Sequence, residues 1–208
     1  MAIMHPAFCP IARFVGAFVQ ESLWVANLEP HLSANKPADQ QRQMTPEEAA
    51  EFAEQVFNKA REGDAAMLAA LMSRGLPPNL RNHKGDTLLM LASYHGHVDA
   101  VKVLLEHKAD PEIRNDNGQS PIAGAAFKGD LEMVKNLIEG GAQVEGASFD
   151  GRTALMMAAM FNRTEIIKYL ISKGADPKAK DANEITALDA AKTMGANDSV
   201  ALLNELLG

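Results

Sequence analysis

A self-similarity with a period of 33 residues constrains this chain more than any other feature. Three segments align without a gap: Asn82 to Asp110, Asn115 to Ala142 and Ser148 to Asp176. Gly85, Gly118 and Gly151 are 33 residues apart, as are Ala109, Ala142 and Ala175, and as are Thr87, Ser120, Thr153 and then Thr186. A unit of this size cannot bury its own apolar face. Copies at a fixed period therefore have to stack, and each contacts only its neighbours.

Each recurring residue has a mechanical reason. A glycine after Lys84, Asn117 or Asp150 suits a turn position with positive φ. Thr87 and its equivalents are placed to cap a helix N-terminus. Leu88, Leu91 and Ala92, then Val98, Val101, Leu104 and Leu105, give helical apolar spacing, which predicts two helices per period. Gly96 and Gly129 stop the first helix. The small alanines at 92, 125–126 and 158–159 let neighbouring helices approach closely. The phase runs on past both ends: Gly63 lies 33 residues before Gly96, Gly195 lies 66 after Gly129, and Glu184 stands where the next turn glycine falls. The first and last units are degenerate, as units with one face in water should be.

These segments resemble the ankyrin repeat, whose pattern reads roughly D-x-x-G-x-T-P-L-H-x-A-A-x-x-G-H-x-E-x-V-x-x-L-L-x-x-G-A-D. Its T-P-L-H element is Thr87-Leu-Leu-Met90, Ser120-Pro-Ile-Ala123, Thr153-Ala-Leu-Met156 and Thr186-Ala-Leu-Asp189, so the family's histidine is missing from every copy, and Asn162 replaces a glycine. The resemblance implies an all-α solenoid of five helix-turn-helix units with short β-turn tips. The expected domain spans 44–208, with a capping unit at 46–81, full repeats at 82–114, 115–147 and 148–180, and a closing unit at 181–208. The run Thr45-Pro46-Glu47-Glu48 reads as its helix start: a cap, a proline at the first helical position and a glutamate three after the cap.

Residues 1–43 differ in character. They hold four prolines and the only tryptophan, and they have no repeat phase. Ile11, Phe14, Val15, Phe18, Val19 and Trp24-Val25 approximate a helical face. Three readings stay open: an extra cap on the first unit, loose sequence upstream of a start at Met44, or a targeting or membrane-surface segment. A secretory signal is disfavoured because Met1 to Pro10 has no Lys or Arg and Arg13 interrupts the apolar run.

Composition narrows the function. A net charge of −7 argues against nucleic acid as the main partner, since such binding relies on Lys and Arg at phosphates. No run approaches the roughly 20 apolar residues that span a bilayer. The single cysteine, Cys9, can form neither an internal disulfide nor a thiolate cluster, which fits a cytoplasmic protein. No glycine-rich phosphate loop, H-E-x-x-H or G-x-S-x-G motif is present, so no catalytic residue and no cofactor are expected. His95-Gly96-His97 invites a metal reading, but a zinc site needs three or four convergent ligands, so none is assigned.

The resemblance implies a non-catalytic, monomeric module that holds another protein on a concave face, as adaptor, inhibitor or chaperone-like partner. The alternative is the scaffold of a membrane- or envelope-associated protein placed by residues 1–43. Carried over by phase, the candidate binding residues at turn tips are His83, Lys84, Asp86, Asn117, Gln119, Phe149 and Arg152. Those at first-helix ends are Tyr94, His95, Phe127, Lys128, Met160 and Phe161. Tyr94, Phe127 and Met160 share one phase and form a column. Met and aromatic residues are enriched at interface cores, which favours a binding stripe, although packing between repeats is the competing reading.

Overall fold

The computed structural model describes residues 45–208. The readings made for residues 1–43, including the extra cap and the targeting segment, lie outside them. Among the described residues there are ten α-helices in five consecutive pairs. The pairs are α1 (Pro46–Glu62) with α2 (Ala65–Ser73), α3 (Leu88–Tyr94) with α4 (Val98–Glu106), and α5 (Pro121–Lys128) with α6 (Leu131–Glu139). They continue as α7 (Ala154–Met160) with α8 (Thr164–Ser172) and α9 (Ala187–Met194) with α10 (Asn197–Leu207). First helices stack on first helices, α1 through α9, and second helices on second helices, α2 through α10. The result is an all-α solenoid. Isolated bridges at Arg81–Thr87, Ala147–Thr153 and Lys180–Thr186 pinch the turn tips.

Local chemistry starts each first helix where the sequence marks it. The hydroxyls of Thr87, Ser120, Thr153 and Thr186 accept from the backbone N–H three residues on, at 3.1–3.4 Å. Thr45 and Glu48 form a complete capping box at the start of α1, with Pro46 in the first turn. The seam between first helices is made of alanine: Ala92, Ala125, Ala126, Ala158, Ala159 and Ala191 are all fully buried. Val101, Leu104, Val134, Leu137, Ile167, Leu170 and Leu203 fill the second-helix layer.

The turns are tied together without the family's histidine. Buried Asn82 accepts at its side-chain oxygen from the N–H groups of Lys84 and Asp86, both at 2.9 Å. Asn115 does the same for Asn117 and Gln119, and Asp181 for Asn183 and Ile185. Asn115 also donates to Asp86 of the preceding turn at 2.9 Å, and the Asp116 N–H donates to the Lys84 carbonyl at 3.0 Å. A second ladder joins the far edge. The N–H groups of Asp110, Gln143 and Asp176 donate to side-chain oxygens of Asn79, Glu112 and Glu145 one repeat earlier, at 2.7–2.9 Å. Each such bond is worth roughly 0.5–1.5 kcal/mol net, and the series repeats along the stack.

One turn position shows how stacking selects residues. Gly118 has φ +76°, and a Cβ there would lie 2.6 Å from the Phe149 ring. Glu184 occupies the same phase in the last unit with φ +61°. No repeat follows it among the described residues, so its side chain meets no neighbouring turn, and it pairs instead with Lys180 at 2.7 Å. The left-handed backbone is kept in both turns; the adjoining repeat adds a steric demand for glycine at Gly118 that Glu184 does not meet.

Candidate functional site

The first helices end on a common line, and the side chains leaving those ends share one open groove of about 770 Å³. Tyr94, Phe127 and Met160 come from the ends of three successive first helices, α3, α5 and α7. They project into the groove because each stands two residues beyond a buried seam position, Ala92, Ala125 or Ala158. Phe161, just after α7, meets Phe127 edge-to-face with ring centroids 4.6 Å apart. The Lys128 ammonium lies over the Tyr94 ring, 4.6 Å from its centre. Both contacts cross from one repeat to the next. The column therefore packs between repeats and also faces the groove: Tyr94 keeps 43% of its surface exposed, and Phe127, Met160 and Phe161 are half-buried.

Of the residues expected from sequence, Asp86, Tyr94, His95, Asn117, Gln119, Phe127, Arg152, Met160 and Phe161 line this groove. His83 and Lys84 are exposed at the first tip, outside it. Lys128 reaches it over Tyr94. Phe149 stands apart. It is 70% exposed and borders a separate shallow hollow with Arg81, Glu112, Ile113, Arg114, Asn115 and Asp116. Sequence reasoning missed Leu91 and Met157, which line the groove one helical turn before Tyr94 and Phe161. The three- and four-residue helical spacing was the available signal. It also missed Pro121 and Gly124, at the start and middle of α5.

The groove's two edges differ in charge. Its carboxylates lie on the turn-tip side and are already engaged. Asp86 accepts from Asn82 and Asn115. Asp150 accepts from the Ser148 hydroxyl and pairs with Arg152 at 3.3 Å, and the Ser148 bond holds its carboxyl below the usual carboxylate range. The helix-end side carries Lys128 and a pair of histidines. His95 stacks on His97 with ring centroids 6.3 Å apart, and a ring nitrogen of His97 hydrogen-bonds the Arg61 carbonyl at 2.7 Å. Partial burial, then the charges of His97, Lys128 and Arg61, push the His95 pKa down, so its neutral form is favoured. Among the described residues no group of three or more His, Cys, Asp or Glu side chains converges as a metal site would require.

Two comparisons bear on this arrangement. A family model described as ankyrin repeats (three copies) matches residues 56–148 and 124–206, which together cover most of the chain. A Pseudomonas aeruginosa protein whose name places it among ankyrin repeat proteins is 61% identical over 56 residues, 27% of this chain. The match takes in 33% of that relative, so the chain spans about a third of the length of the curated protein it matches.

Proposed function

We propose, from the premise that the chain belongs to the ankyrin-repeat family, that it is a non-catalytic cytoplasmic monomer that holds another protein in its concave groove, as adaptor, inhibitor or chaperone-like partner. Ankyrin repeats are generally protein–protein interaction modules, and the family is typically non-catalytic. One observation supports placing the interaction in the groove. Tyr94, Phe127, Met160 and Phe161, drawn from three consecutive repeats, meet in a single open depression and keep part of their surface in water. Aromatic and Met side chains gathered at the centre of a polar-rimmed surface are what an interface core requires. Among the described residues no helix is long and apolar enough to cross a membrane.

The test is capture from native lysate of the source organism with full-length protein and with the double variant Tyr94→Ala/Phe127→Ala. The expected result is a partner held by the first and lost by the second, with both folded. Equal capture by the double variant rejects the groove.

A further inference from the structure

We propose that the groove takes an acidic segment of its protein partner, whose carboxylate pairs with Lys128 and accepts from His95 at the helix-end rim while its apolar side chains rest on Tyr94, Phe127 and Phe161. The inference rests on the groove reading above and narrows it to one chemistry. The argument is charge complementarity inside a protein that carries −7 overall.

The groove's charges are not equally committed. Asp86 and Asp150 are satisfied by Asn82, Asn115, Ser148 and Arg152, so the turn-tip edge has little unspent charge to offer a ligand. Lys128 is different. Its ammonium forms no ion pair among the described residues and lies against the Tyr94 ring, where the ring's electron-rich face attracts it. Its place in the last turn of α5 accounts for a cation there, through the helix dipole. That place does not account for holding the ammonium over an aromatic face at the rim of an apolar depression.

Around Lys128 stand two imidazoles, a guanidinium and one carboxylate, Asp130, which caps α6 by accepting from the Met133 N–H at 2.9 Å and whose Oδ2 would lie 3.8 Å from a Cβ at Gly96. His95 and His97 follow α3, and Arg61 comes from α1, where it is tied to Glu54 at 2.8 Å. His95 also meets the Tyr94 ring edge-on, with centroids 5.7 Å apart. Burial first, and then the charges of His97, Lys128 and Arg61, lower the His95 pKa, and a carboxylate arriving beside Lys128 and His95 would oppose those charges. A basic segment would meet Lys128 first and be repelled. A wholly apolar one would strip water from Lys128 without repaying it.

The test uses full-length protein and a displayed library of random 12-residue peptides. Enriched peptides should place Asp or Glu beside Leu, Phe or Trp. Changing that acid to its amide in the best peptide, and Lys128→Gln in the protein, should each weaken binding about tenfold, with the two losses not adding. Peptide binding at pH above 7 should also take up protons, because the bound carboxylate raises the His95 pKa. Enrichment of neutral or basic peptides overturns the proposal, as does an acid-to-amide change without effect on the unaltered protein. If the enriched peptides bind Tyr94→Ala/Phe127→Ala as well as the unaltered chain, the groove reading itself fails and the acidic segment fails with it.

Discussion

The alanine seam and the aromatic column occupy the same short helices, two residues apart, and they answer to opposite demands. Ala92, Ala125 and Ala158 are fully buried in the seam between neighbouring first helices. Tyr94, Phe127 and Met160 are large because the stack covers them only in part and leaves the rest facing the groove. The seam is fixed by what it touches; the column is fixed by what it leaves uncovered. On one helix, therefore, stability and recognition can be altered separately. Substitutions in the seam should unfold the protein, and substitutions in the column should leave it folded and unable to bind.

The sharpest way to break that contrast is Ala158→Asp. It forces a charge into a closed seam and should cost about 4 kcal/mol or more, a large share of a domain's total stability. Ala182→Asp, at an exposed turn tip, should stay within about 0.5 kcal/mol. Thermal melting separates the two, and equal effects would mean the seam is misassigned.

Gly118→Ala comes next. It meets both a left-handed backbone and the Phe149 ring, and should cost about 2–3 kcal/mol by denaturant titration. A loss below about 1 kcal/mol would show that the Phe149 turn yields easily.

Ser199→Ala works in the opposite direction. Ser199 stands in the column of Ala100, Met133 and Ile166, is fully buried, and its hydroxyl has no hydrogen-bond partner. Removing the hydroxyl should raise stability by about 1 kcal/mol. A lower melting temperature would reveal a bond the hydroxyl makes.

The smallest effect belongs to His95. Its pKa is lowered in the folded state, so the unfolded chain binds more protons between the folded value and about 6.5. Stability should therefore rise as pH increases through that window and be weakest below it. His95→Gln should flatten that part of the pH profile of the melting temperature, and an unchanged slope would assign the dependence to another group.

Much of the fold could be read in advance because the period carries it. Cap residues, turn glycines and buried alanines each recur at one phase, and the structure uses them as helix caps, left-handed turns and seam. The hydrogen-bond ladders could not be read in the same way. Asn79, Glu112 and Glu145 share a phase but not a residue type, and each alone looks like an ordinary polar turn residue. What makes them a ladder is a backbone N–H in the next repeat, which no local pattern reveals. For the candidate site, phase gave the position along each helix or turn but not the side from which a side chain leaves. Tyr94, Phe127 and Met160 sit at helix ends, where the seam fixes the other side, so their direction followed. Phe149 sits on a turn tip, where nothing local fixes direction, and it faces a different hollow. Lys128 over Tyr94 is a contact between repeats and had no sequence signal.

The central claim is that a partner seats in the groove, and the methionine methyl groups report on it directly. Eleven methionines are present; Met90, Met157 and Met160 line the groove, and Met67 is exposed on α2 outside it. With the methyl groups labelled and each assigned by substitution, addition of the captured partner should shift the Met157 and Met160 resonances and leave Met67 in place. A shift at Met67 with Met157 and Met160 unmoved would contradict the account.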